Sequence, residues 1–300
     1  NDTDIPYVYI AGQGLTLEQN TKFLVGTSSL NAVLFQATTT ASTTPGGTFA
    51  RGGDIQVTSG STLDMGTNNL TVGGNLMNFG TLSITSGTLT FNGTRSGGNS
   101  FNLGSNPTLQ NLTISGSVPI TASSTSGTSS AAIVAGTLTV NSGSELALSS
   151  GKYATSTGTI TVNGTISGSG TLVITNSSSG PGSLGSLTAP VRYDATNGDI
   201  AATTLDARSG ANAYNGLVEL YSNSASVRNA ILNSGTYDFN AGLHIAAQGS
   251  ANMNLLGTPN NPTVNIGATS GNLDFTGGAS PYLYVPDRDG YRKVSDFLED

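Results

Sequence analysis

The chain has 300 residues, enough for one elongated domain or two compact ones, and only 9% of them are Asp, Glu, Lys or Arg. With 41 glycines and 36% hydrophobic residues at short, even intervals, it is neither a charged disordered segment nor an ordinary soluble domain, in which about a quarter of residues are charged. The net charge of −7 and ten scattered basic residues argue against nucleic acid and anionic membrane surfaces as partners, and the lack of cysteine excludes disulfides and thiolate metal sites.

Residues 1–50 read as an N-terminal strand and capping segment. They open on the strand-like Tyr7-Val8-Tyr9-Ile10, run through Leu15 to Phe35 and end in a Thr-rich stretch. No apolar run approaches the roughly 18–20 residues of a membrane helix, so no membrane insertion is expected, and Asn1 reads as a mature N-terminus. Residues 51–179 carry a recurring phrase: Gly, a small polar residue, an aliphatic or aromatic residue, any residue, then a β-branched or aromatic one. Copies lie at Gly80–Ile84, Gly87–Phe91, Gly136–Val140, Gly158–Val162 and Gly170–Ile174, and two more beyond this stretch at Gly235–Phe239 and Gly271–Phe275. Each copy alternates apolar and polar with period two between Gly, Asn and Ser, as half-buried strands do between tight turns. Leu82, Ile84, Leu89 and Phe91 are expected to face inward. Residues 180–190 read as a Gly/Ser/Pro-rich loop. Residues 191–280 hold more strands with more charges and tyrosines, as further solenoid coils or as a separate β-sandwich. Residues 281–300 read as a charged C-terminal strand and tail containing Tyr282-Leu283-Tyr284-Val285.

The intervals between phrases define the architecture. Between Ile55 and Phe91 the apolar pairs recur too tightly for helices, and two or three strands with their turns make a coil of roughly 20 residues, the period of stacked solenoid repeats. In such a stack the backbone groups of one coil are satisfied by the coils on either side. Like charges would stack in register at ~4.8 Å, which favours neutral Thr, Ser and Asn on the outside. Arg95 is the one charged residue between Met65 and Ser144. The predicted fold is all-β, a right-handed parallel β-helix with atypical terminal strands, or alternatively a solenoid followed by a β-sandwich.

The phrases Gly-Ser-Thr-Leu-Asp-Met (60–65), Asn-Leu-Thr-Val-Gly-Gly-Asn-Leu (69–76), Gly-Thr-Leu-Thr-Phe-Asn-Gly-Thr (87–94) and Leu-Gln-Asn-Leu-Thr-Ile-Ser-Gly (109–116) resemble the right-handed β-helix repeats of bacterial surface proteins. Filamentous-haemagglutinin-type adhesins and autotransporter passenger domains are the types in question. The resemblance covers about residues 51–176 and rests on pattern and composition. It implies an extracellular, secreted or cell-surface location and a structural or adhesive role, and it carries over no functional residue.

The expected function is a structural subunit of an extracellular filament, sheath or matrix, with copies of itself as partners in a head-to-tail polymer. Its interface would be the terminal strands Tyr7, Val8, Tyr9, Ile10 and Tyr282, Leu283, Tyr284, Val285, read as lying outside the repeat with unpaired edges. One alternative is a monomeric adhesin stalk, marked by aromatic or charged clusters along one lateral face, with cell-surface glycans or other surface proteins as partners. The other is a carbohydrate-active β-helix enzyme, which needs converging acids; Asp194, Asp199 and Asp206 are the closest grouping. Loosely spaced aspartates in turns are ordinarily Asx-turn formers, so no catalytic residues are expected. His244 has no second histidine to complete a metal site or triad. No cofactor is expected, although Asp2, Asp4, Asp287 and Asp289 could hold calcium between apposed termini. The sequons at Asn69, Asn92, Asn111, Asn163 and Asn176 are expected by chance in a chain so rich in Asn, Ser and Thr, and Lys22, Lys152 and Lys293 have no evident cross-linking partner.

Overall fold

A computed structural model describes strands along the whole chain and most connections between residues 62 and 247; side chains are described mainly between residues 67 and 246, outside short gaps. The described structure is all-β, and its one helical element is a 3₁₀ turn at Gly210–Asn212. With one exception the recorded strand pairs are parallel and join segments a coil apart, which makes the fold a parallel β-solenoid. The chain divides into two compact units, Asn1–Tyr153 and Ala154–Asp300.

In the first unit three faces are built by strands stacked in chain order. The first face runs Val8–Ile10, Val33–Phe35, Ile55–Val57, Leu76–Asn78, Asn99–Asn102, Ile120–Ala122 and Glu145–Leu148. The second holds Leu15–Leu17, Thr40–Thr43, Thr62–Gly66 and Thr81–Ile84. The third holds Thr48–Arg51, Asn69–Val72, Thr88–Phe91, Thr108–Ile114 and Ile133–Val140. Two copies of the recurring phrase, Gly87–Phe91 and Gly136–Val140, lie in register on the third face, whereas Gly80–Ile84 falls on the second. Leu70, Leu89, Leu112 and Leu138 form one buried column, and Val72, Phe91, Ile114 and Val140 form another. Between them Thr71, Thr90, Thr113 and Thr139 make a threonine column. Across the core Phe91 stacks on Phe101 from the first face with ring centroids 4.6 Å apart.

Asparagine carries the contacts that the strand ladders leave open. Asn69 accepts the Thr88 N–H at 2.8 Å, Asn75 the Ser100 N–H at 2.8 Å and Asn111 the Thr137 N–H at 3.1 Å, each from the neighbouring coil. A short carbonyl-bearing side chain at the strand entrance reaches along the axis where the backbone has turned away.

Three expectations need correction. Leu82 is only half-buried, unlike Ile84, Leu89 and Phe91, because Thr81–Ile84 is the last strand recorded on the second face and a register shift falls between Ser83 and Ile84. The segment 180–190 contains a strand, Ser186–Leu187, parallel to Thr165–Gly168, and Leu187 and Ala189 are fully buried. Two of its glycines serve close packing: a side chain on Gly180 would run into the Thr204 carbonyl and the Asp206 carboxylate, and one on Gly185 into the Val162 and Gly164 carbonyls. Strands at both termini belong to the stack. Val8–Ile10 pairs in parallel with Val33–Phe35, and Tyr282–Val285 lies between Met253–Gly257 on one side and the antiparallel Gly290–Lys293 on the other. Registered neighbours span about 19 to 30 residues rather than a constant 20, and that variation hid these strands from a fixed period.

In the second unit the segment between residues 191 and 276 continues as coils. Thr171–Thr175, Val191–Asp194, Val218–Ser222, Leu243–Ala247 and Leu273–Thr276 pair in parallel, whereas a β-sandwich would require antiparallel sheets.

Candidate functional site

The densest chemistry among the described residues lies in the second unit, on the outward side of the sheet formed by those five strands. Its inward positions are apolar columns: Leu172, Val191, Val218 and Leu243 are buried and in register, as are Ile174, Tyr193, Leu220 and Ile245. Strand alternation therefore turns the intervening residues outward. One outward row is Arg192, Glu219 and His244, with the buried Val173 in register before Arg192 and Asp274 at the register position after His244; the next row holds Asp194 and Tyr221, with the buried Ala246 in register after them. Arg192 and Glu219 bring opposite charges together in this row, the arrangement that in-register stacking tolerates. Arg192 is ion-paired through Nε with Glu219 Oε2, and its guanidinium carbon lies 4.3 Å from the centre of the Tyr221 ring. His244 Nδ1 is 3.5 Å from Glu219 Oε1. Arg192, Glu219 and His244 are partly exposed, so a charged and aromatic strip faces solvent across three coils.

Beneath and beside this strip the core is aromatic. Tyr193, Tyr214, Tyr237 and Phe239 are fully buried. The Tyr193 and Tyr214 hydroxyls are 2.9 Å apart, Tyr214 donates onward to the Asp206 carbonyl at 2.9 Å, and Tyr214 stacks on Phe239 at 5.3 Å. Burial pushes the phenol pKa of both Tyr193 and Tyr214 upward. Arg208, 1% exposed, donates to the Gly185 carbonyl at 2.7 Å, to the Asn212 carbonyl at 3.1 Å and to the Gly182 carbonyl. Asp206 accepts the Gly182 N–H at 2.7 Å; burial raises its pKa, opposed by that hydrogen bond and by Arg208.

The three aspartates weighed as catalytic acids each bond a backbone N–H. Asp194 accepts from Thr196 two residues on, an Asx turn. Asp199 accepts from both the backbone and side chain of Asn229, and Asp206 from Gly182. Among the described residues no group of three His, Cys, Asp or Glu side chains is placed to hold a metal ion. The calcium candidates Asp2, Asp4, Asp287 and Asp289 lie outside the described residues, as does Tyr7. Val8–Ile10 and Tyr282–Val285 are seen as backbone strands only.

Arg192, Glu219, Tyr221 and Arg208 escaped the sequence reading. For the first three the signal was present: aligning the coils on Leu172, Val191, Val218 and Leu243 puts Arg192 and Glu219 in one column with His244, and Tyr221 beside Asp194 in the next. No such signal marks Arg208, whose partners Gly182 and Gly185 are set by how two turns of unequal length meet. No helix among the described residues is long and apolar enough to cross a membrane. Comparison with protein-family models, with curated proteins and with solved structures found no match to this chain in any of the three.

Proposed function

We propose that this chain is an extracellular, cell-surface β-solenoid stalk of adhesin type that recognises a glycan or another surface protein with the lateral strip Arg192, Glu219, Tyr221 and His244. The carrying observation is the concentration of charged and aromatic side chains on one outward face, where the corresponding row on the third face of the first unit is the threonine column Thr71, Thr90, Thr113 and Thr139. A solenoid suits this role because repeated coils hold surface side chains on rigid strands, and rigid presentation lowers the entropy cost of binding.

The test is binding of the purified chain to glycan arrays and to cells, compared with a variant carrying Arg192→Gln, Glu219→Gln and His244→Gln together. Loss of binding with unchanged β-dichroism supports the reading; equal binding by both proteins overturns it. The second reading is the filament subunit. It is favoured by Val8–Ile10, which has a strand on one side only among the described strands, an edge able to add another strand. It is weighed down by Tyr282–Val285, whose two edges are both occupied. Ordered polymers in electron micrographs at rising concentration, lost on deleting residues 1–10 while the fold persists, would favour it instead.

A further inference from the structure

The sequence contains four Asn-Gly pairs, Asn92-Gly93, Asn163-Gly164, Asn197-Gly198 and Asn215-Gly216, and all four asparagines are exposed. We infer that Asn163 is the site at which the folded chain modifies itself by deamidation. In that reaction the backbone nitrogen of the following residue loses its proton and attacks the asparagine Cγ. The new N–Cγ bond closes a five-membered imide, the Cγ–Nδ2 bond breaks, and Nδ2 leaves as ammonia with the proton. Solvent water then opens the imide at either carbonyl, giving aspartate or isoaspartate. Glycine is the favourable neighbour because it has no Cβ to block the approach.

The fold obstructs the other three pairs. Gly198 N–H is donated to the Ala195 carbonyl at 3.2 Å, and Gly216 N–H to the Leu187 carbonyl at 3.2 Å, so neither nitrogen is available without breaking a hydrogen bond. Asn215 is held further, its Oδ1 accepting from Asn240 Nδ2 at 2.8 Å. Gly93 is buried, packed against Val118 and Ile120, which shields the attacking nitrogen from the solvent base that must take its proton. Asn163-Gly164 instead forms the exposed bend between the strands Ile160–Val162 and Thr165–Gly168. Conversion there places a new negative charge on the surface. In the isoaspartyl product it also lengthens the backbone by one atom in a bend whose Gly164 carbonyl accepts the Ser186 N–H of the next coil at 2.8 Å.

The experiment ages the full chain in mildly alkaline buffer and follows all four sites by peptide mapping, with fragmentation that separates aspartate from isoaspartate. Asn163 should convert several-fold faster than Asn92, Asn197 and Asn215 in the folded protein, and the four rates should draw together in concentrated urea. Gly164→Ala should slow loss of Asn163 several-fold. Faster conversion at any of the other three sites in the folded chain overturns the assignment, as does the same ranking with and without urea.

Discussion

The Arg208 guanidinium lies 5.6 Å from the centre of the buried Tyr214 ring while its N–H groups hold the carbonyls of Gly182, Gly185 and Asn212. One cation thus ties Gly182 and Gly185 to the longer excursion at 208–214 in the next coil. Arg suits this position because its planar fork of donors spans carbonyls facing different ways, which a lysine ammonium on a single flexible stem cannot. Arg208→Ala leaves the buried Gly185 carbonyl without this donor, frees the carbonyls of Gly182 and Asn212 and opens a cavity, and should cost about 2–5 kcal/mol in urea unfolding. Arg208→Lys should recover less than half of that. A cost for Arg208→Ala below about 1 kcal/mol would show that the three contacts do not hold the turns together.

The paired columns of the third face make the inward and outward assignments separable. Leu89 is 0% exposed between Leu70 and Leu112, and its neighbour Thr90 lies in the threonine column. Leu89→Asp buries an unpaired carboxylate and should cost at least about 3 kcal/mol, whereas Thr90→Asp should stay within about 1 kcal/mol of wild type. Equal costs from chemical denaturation would mean that the strand faces are assigned the wrong way round.

Much of this was legible in the sequence, for a physical reason. Period-two alternation fixes which side of a strand is apolar, and the Leu-Thr-Val, Leu-Thr-Phe, Leu-Thr-Ile and Leu-Thr-Val triplets ending at Val72, Phe91, Ile114 and Val140 are the same rung four times over. Coil length was not legible, because a turn can lengthen at little entropic cost without disturbing the rungs it joins. The unequal turns are where the second unit's polar contacts arise. Asp206, Arg208 and Tyr214 all fall in the long connection between Val191–Asp194 and Val218–Ser222, where no periodicity operates. The lateral strip was half legible: His244 stood out by composition, but its neighbours Arg192 and Glu219 in the column emerge only once register is known.

Asp206 should leave a pH signature. Burial raises its folded pKa above the ordinary carboxylate value, so between the unfolded and folded values the native state binds more protons than the unfolded one. The contribution of this group to stability is therefore fully present below the ordinary carboxylate pKa and is lost as pH rises through the folded pKa. Asp206→Asn removes the titration while its side-chain oxygen can still accept from Gly182. The stability of the variant relative to wild type should rise with pH across the acid range just above the ordinary carboxylate value, then level off. Urea midpoints at a series of pH values check this, and a difference that stays flat or falls with pH would be inconsistent with a desolvated carboxylate.

The tightness of coil stacking can be read from a pair of glycines that differ in what surrounds them. Gly216 is buried, and a Cβ built on it presses into the Ala189 carbonyl group of the preceding coil and lies 2.8 Å from Pro190 N. All of those atoms are backbone, and the Gly216 N–H is itself bonded to the Leu187 carbonyl, so neither coil can yield without losing rung hydrogen bonds. Gly143 presents the opposite case: it sits at φ +76° in an exposed turn with nothing within 4 Å of an added Cβ. Gly143→Ala should therefore cost only the left-handed backbone penalty of about 1–2 kcal/mol. Gly216→Ala must in addition push two coils apart across a spacing that the hydrogen-bonded ladder holds near ~4.8 Å, and should cost more than about 3 kcal/mol. Thermal and urea unfolding of the two variants side by side separate the terms. If Gly216→Ala were as mild as Gly143→Ala, the coils at Ala189 and Gly216 could not be in direct backbone contact, and the column that places Arg192 against Glu219 three residues further along the chain would lose its register.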